Sequence, residues 1–150
     1  MKHWTNIRAS VSDTPLPQRF KRWFSDSQQL SIHRLNELYY PDARQQGPDR
    51  CARGLSQIEE QLEARLHQWG HYRTVFLDQS SSGSGVTYLK WDLHLSTHKG
   101  PLTLRGVTQL HHDDRILYQE DFYDPRPLEG HRWGRLRLMR PRRNTRRTGQ

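Results

Sequence analysis

The chain has a single cysteine, Cys51, which excludes an internal disulfide framework. It has no apolar run of membrane-spanning length, and the amino-terminal stretch MKHWTNIRASVSD lacks the apolar block of a secretory signal, so a soluble cytoplasmic protein is expected. Apolar residues are scarce throughout. Only 32% of 150 residues fall in the hydrophobic set, which implies one domain with a compact core and polar segments outside it. There is no G-x-S-x-G elbow, P-loop or dinucleotide fingerprint, and SSSGSG lies between strand patterns, not ahead of a helix, so it reads as a turn. No cofactor is implied. Acid is missing from residues 131–150, which carry eight arginines, whereas residues 1–130 balance 16 basic against 16 acidic side chains. The net charge of +8 therefore belongs to the tail and not to the body.

What is present divides into three parts: a loose polar arm (1–16), a folded body (17–130) and the basic tail (131–150). In QRFKRWFSDSQQLSIHRLNELYY the residues Phe20, Trp23, Phe24, Leu30, Leu35 and Leu38 recur at helical spacings, and SDS reads as a break or cap between two short helices. PDARQQGPDRCARG reads as an irregular connection. In GLSQIEEQLEARLHQWG the residues Leu55, Ile58, Leu62, Leu66 and Trp69 form one apolar stripe. Ser56 and Glu59 match a capping box there, and Gly70 supplies a left-handed stop.

Four strand patterns follow: HYRTVFLDQ, GVTYLKWDLHLST, GPLTLRGVTQLHH and RILYQEDFYD. Helices followed by hairpin-linked strands define an α+β fold with an antiparallel sheet packed on helices. In the second strand Leu89, Trp91, Leu93 and Leu95 should face the core and Tyr88, Lys90, Asp92 and His94 solvent. In the last strand Leu117, Gln119, Asp121 and Tyr123 share one face and Tyr118, Glu120 and Phe122 the other. Neither face is cleanly apolar, so the inward one is left open. His111 and His112 are neighbours on a strand and point to opposite faces, with no further ligand at tight spacing, so no metal site is expected.

The stretches LNELYYPDA, RGLSQIEEQL, YLKWDLHL and LRGVTQLHHDDRILYQEDFYDP, in that order, resemble the nuclear transport factor two-like superfamily in its SnoaL-like, ketosteroid-isomerase-like branch, over roughly 17–128. The resemblance implies a cone-shaped curved sheet wrapped around helices, a pocket at the wide end, and dimerisation through the sheet. The family includes isomerases, polyketide cyclases, epoxide hydrolases, dehydratases and non-catalytic binders, so the fold does not choose the function. Steroid isomerases of this kind place their base before a proline. Gly47 stands there, before Pro48, which argues against that route. Asp121 resembles the late-strand aspartate of epoxide hydrolases and SnoaL-type cyclases, and Lys90 and Asp92 stand where the former have Arg-x-Asp.

The expected site is a pocket for a hydrophobic ligand, lined by Tyr40, Trp91, Gln109 and Tyr123, with Asp121 as acid–base residue if there is chemistry. The bland alternative makes Asp121 a solvated charge near a strand end. The tail has three readings: a solvated end, a nucleic-acid contact (the least favoured), or a segment at an anionic membrane surface. In the last, Trp133 and Leu136 would insert while Arg135, Arg137 and Arg142 meet lipid phosphates. A non-catalytic homodimeric adaptor addressed by that tail is the second hypothesis for the whole protein.

Overall fold

The computed structural model describes residues 13–129. Helix α1 (Leu16–Phe24) opens the fold and leads through two 3-10 turns, Ser27–Gln29 and Ile32–Glu37, into strand β1 (Tyr39–Gln46). Strand β2 (Cys51–Arg53) returns as a short hairpin, helix α2 (Leu55–Trp69) crosses the sheet, and β3 (Tyr72–Ser82), β4 (Val86–Thr97), β5 (Gly100–His112) and β6 (Ile116–Tyr123) complete it. The six strands lie in the order β2-β1-β6-β5-β4-β3. Every pair is antiparallel except β1 with β6, so the α+β sheet is mixed rather than wholly antiparallel.

The segment read as an irregular connection is thus a hairpin. Gly47 N–H donates to Arg50 C=O at 2.8 Å to close its turn, and three ladder pairs, such as Arg44 with Arg53, hold it. Polar residues at exposed edge positions hide this strand from a hydrophobicity pattern. The capping box is also replaced. Helix α2 starts at Leu55 with Gly54 as its cap, and Gln57 Oε1 accepts from Arg53 N–H at 2.9 Å. Gly54 has φ 83, a value that Ser or Thr, the residues that cap by side chain, adopt poorly.

Bulges curve the sheet where the ladder register shifts, at Phe76/Asp78 in β3 and at Ile116/Tyr118 opposite His111/His112 in β6. The second sends Leu117 outward, 50% exposed, while Ile116 and Gln119 stay inside. Strand β4 alternates as expected, with Leu89, Trp91, Leu93 and Leu95 buried. On the concave side one buried cluster joins Leu16, Phe20, Leu35, Tyr39, Ile58, Leu62 and Ile116, and a second joins Tyr72, Trp91, Leu93, Leu95 and Leu104. Full burial of side chains such as Ile58 and Leu62 stabilises by about 1.5–3 kcal/mol each. The outer face leaves Val75, Leu77, Tyr88 and Phe122 exposed. Among the described residues no helix is long and apolar enough to cross a membrane.

Candidate functional site

Between the two clusters the concave face turns polar. The inward positions of β5 and β6 there are Thr108, Gln119 and Asp121, all buried, with Trp91 beside them on β4 and Gln45 on β1. Gly106 makes the arrangement possible: a Cβ on it would lie 2.4 Å from Trp91 Cη2 and 2.8 Å from Phe122 C=O, so only glycine lets the indole lie across β5.

Two donor relays converge on Asp121. Trp91 Nε1–H donates to Thr108 Oγ1 at 2.9 Å, and Thr108 donates onward to Asp121 Oδ1 at 2.6 Å. From the other side Tyr39 O–H donates to Gln119 Oε1 at 2.5 Å, which turns the amide so that Nε2 donates to Asp121 Oδ1 and Oδ2 at 3.1 and 3.2 Å. Indole nitrogen is donor-only, so the Thr108 hydroxyl proton is directed at the carboxyl. Burial pushes the Asp121 carboxyl above the usual carboxylate range. Hydrogen bonds from Thr108 and Gln119 and the charge of Arg50 oppose that rise without cancelling it. Burial likewise raises Tyr39 well above the ordinary phenol value and pushes Tyr72 up to about 12, against the pull of Arg50.

Asp121, Thr108, Gln119, Trp91 and Tyr72 line a cavity of about 60 Å³, walled by Phe20, Phe24, Phe76, Leu62 and Leu93 and reached by Arg65 from α2. Arg65 also lines an outer vestibule of about 300 Å³ with Asp49, Arg50, Gln61 and Trp69. Four polar atoms on the inner cavity's lining residues are out of solvent's reach and have no hydrogen-bond partner among the described residues: Gln45 Oε1, Tyr72 Oη, and Arg65 Nε and Nη2. Leaving a buried polar group unmatched costs about 1–3 kcal/mol, more when it is charged. An apolar wall around several unmatched polar groups is the chemistry of a ligand site.

Of the expected site residues, the structure brings Asp121 and Trp91 together in this cavity. Tyr123 stands next to it, its ring centroid 6.1 Å from that of Trp91 and its hydroxyl donating to Asp49 Oδ1 at 2.9 Å. Burial pushes the Tyr123 phenol up to about 12. Tyr40 and Gln109 lie elsewhere. Tyr40 donates to Asp113 under the Arg115 guanidinium, and Gln109 donates to Tyr88 on the outer face. Lys90 and Asp92 also face outward, with Asp92 clamped by Arg105 at 2.7 and 2.9 Å, so they form no constellation with Asp121. His112 meets Thr87 Oγ1 at 2.8 Å, while His111 stacks edge-on against Tyr118, and among the described residues no three His, Cys, Asp or Glu side chains gather as metal ligands. Trp133, Arg135, Leu136, Arg137 and Arg142 lie outside the described residues.

Thr108, Gln45, Tyr39, Tyr72 and Arg65 were not anticipated. The alternation Leu102, Leu104, Gly106, Thr108, Leu110 along β5 carries the signal for Thr108, and an arginine between Leu62 and Trp69 in an apolar stripe carries the signal for Arg65.

No family model matches the sequence, and no curated protein matches it. Solved structures do. A protein assigned as a SnoaL-like polyketide cyclase from Jannaschia sp. CCS1 is similar with a TM-score of 0.68 at 12% identity, over 82% of this chain and 96% of that one. One assigned as an isomerase of the SnoaL-like family from Agrobacterium tumefaciens str. C58 is similar with a TM-score of 0.58 at 20% identity, over 73% and 94%. A protein with a ketosteroid isomerase-like fold from Catenulispora acidiphila DSM 44928, in complex with trimethylamine, is similar with a TM-score of 0.62 at 12% identity, over 73% and 85%. The chain has the nuclear transport factor two-like fold. At these identities the likeness establishes that fold and leaves the chemistry to the side chains.

Proposed function

We propose that the chain is a small-molecule pocket protein in which Asp121 gives a proton to, or takes one from, the bound ligand, with no cofactor. The observation that carries this reading is a carboxyl that is 7% exposed, hydrogen-bonded among the described residues only by the neutral groups Thr108 and Gln119, at an apolar-walled cavity. A carboxyl whose proton is held more tightly by burial is suited to act as a general acid, and once ionised as a base. A purely structural polar network would be closed upon itself. This one leaves Gln45, Tyr72 and Arg65 unmatched around the cavity, which supports a ligand.

Ligand size follows from the volumes. Small-molecule sites occupy roughly 300–1,000 Å³, so the inner cavity of about 60 Å³ admits only the reacting end of a ligand whose body rests in the vestibule. A small apolar or aromatic compound fits that division better than a steroid-sized one, and one structure of this fold holds a molecule as small as trimethylamine. Epoxide hydrolysis by an Asp–Arg–Asp constellation is disfavoured, because Lys90 and Asp92 lie on the opposite face of the sheet. The adaptor reading draws support from the exposed Val75, Leu77, Tyr88 and Phe122, which suit contact with a second copy, but it assigns no task to the buried carboxyl.

The test is native mass spectrometry of the gently purified full chain, with denaturing extraction of whatever is retained. A retained small organic molecule is expected. It should be turned over by the wild type and bound within a few-fold, but not turned over, by Asp121→Asn. A chain that retains nothing and whose Asp121→Asn variant behaves identically in every turnover assay would replace this reading with the adaptor.

A further inference from the structure

We propose that the pocket takes a small organic carboxylate, held by Arg65, which lines both inner cavity and vestibule and would turn its buried Nε/Nη2 edge toward the ligand. The proposal rests on the pocket reading above and names its ligand class.

Arg65 sits on the buried stripe of α2, three residues after Leu62 and four before Trp69. Its guanidinium carbon lies 5.1 Å from the centroid of the Trp69 ring, which holds the plane of the charge against the indole. Nε and Nη2 are both sealed from solvent and both lack an acceptor among the described residues. These two nitrogens form one edge of the guanidinium, with N–H bonds running parallel at the spacing of two carboxylate oxygens.

The same chain uses this edge elsewhere. Arg34 holds Glu37 with Nε and Nη2 at 3.0 and 2.9 Å, and Arg105 holds Asp92 with the same two atoms at 2.7 and 2.9 Å. In Arg65 the same edge is packed away from solvent with no acid on it among the described residues. A guanidinium does not shed its proton to escape that cost, and a carboxylate matches both donors at once. Arg50, lining the same vestibule, adds a second positive charge. Asp49, which accepts the Tyr123 hydrogen bond there, weighs against a dianion such as phosphate.

The test is isothermal titration of the full chain with benzoate, with benzamide of the same shape but no charge, and with inorganic phosphate. Benzoate is expected to bind about tenfold more tightly than benzamide, or better, and more tightly than phosphate. Arg65→Lys keeps the charge and loses the fork, and Arg65→Met keeps only the stem. Both should bring benzoate down to the affinity of benzamide while leaving benzamide unchanged, and unaltered Tm values would show that both fold. Equal binding of benzoate and benzamide, or a preference that survives both variants, overturns the carboxylate seat and leaves the pocket reading standing. Phosphate binding more tightly than benzoate overturns the ligand class. Binding of neither organic probe overturns the carboxylate seat, and the native mass spectrum then decides the pocket reading on its own.

Discussion

Thr108 donates its hydroxyl proton to Asp121 at 2.6 Å only because Trp91 occupies the hydroxyl oxygen from behind at 2.9 Å. The pair makes an indole on β4 part of the electrostatics of a carboxyl on β6, two strands away. Thr108→Val keeps the shape and removes both bonds. It leaves the Trp91 N–H unmatched, so a loss of about 1–3 kcal/mol in stability is expected. With one opposing hydrogen bond gone, the Asp121 carboxyl should titrate higher still. Denaturant unfolding and carbon NMR of the carboxyl check the two halves separately.

The raised Asp121 value sets a pH dependence of stability. Below the ordinary carboxyl value of about 3.9 the group is protonated in both folded and unfolded chains and contributes no penalty. As pH rises through that value the unfolded chain releases its proton first, so stability falls until the folded carboxyl ionises too, above which the loss is complete. Asp121→Asn cannot titrate. Its stability relative to wild type should therefore climb across that window and level off above it. A difference that stays flat with pH would mean that burial does not govern this group.

Gly106→Ala tests the packing that carries the site. The new methyl would overlap the Trp91 ring at 2.4 Å and the Phe122 carbonyl at 2.8 Å, so the indole has to move off Thr108. Overpacking of this kind costs about 1–3 kcal/mol. The Asp121 titration should change with it, because the indole holds the Thr108 hydroxyl that donates to Asp121. Unfolding together with indole N–H chemical shifts would register both effects.

Legibility followed the strength of the alternation. Strand β4 was plain because Leu89, Trp91, Leu93 and Leu95 are apolar against charged neighbours, and α2 was plain from its stripe. Strand β1 was not, because YYPDARQQ buries only Tyr39, Ala43 and Gln45. On a strand Tyr39 and Tyr40 face opposite sides, and it is Tyr39 that reaches Gln119. The inward face of β6 could not be read from composition, since Gln119 and Asp121 are polar and the bulge breaks parity at Leu117. On β5 the alternation Leu104, Gly106, Thr108, Leu110 puts Thr108 on the inner face and Gln109 on the outer one. The polar interior of this sheet is the part a hydrophobic pattern cannot announce, and it is where the candidate site lies.

The most direct measurement is the carbon-13 NMR titration of the Asp121 side-chain carboxyl in the full chain, assigned by its loss in Asp121→Asn. A midpoint clearly above the ordinary value of about 3.9, moving further when a pocket ligand is added, is the expected result and would make Asp121 an acid–base group on the wall of an occupied site. A midpoint at or below that value, indifferent to any ligand, would make Asp121 an ordinary structural carboxylate and would contradict the function proposed for the pocket.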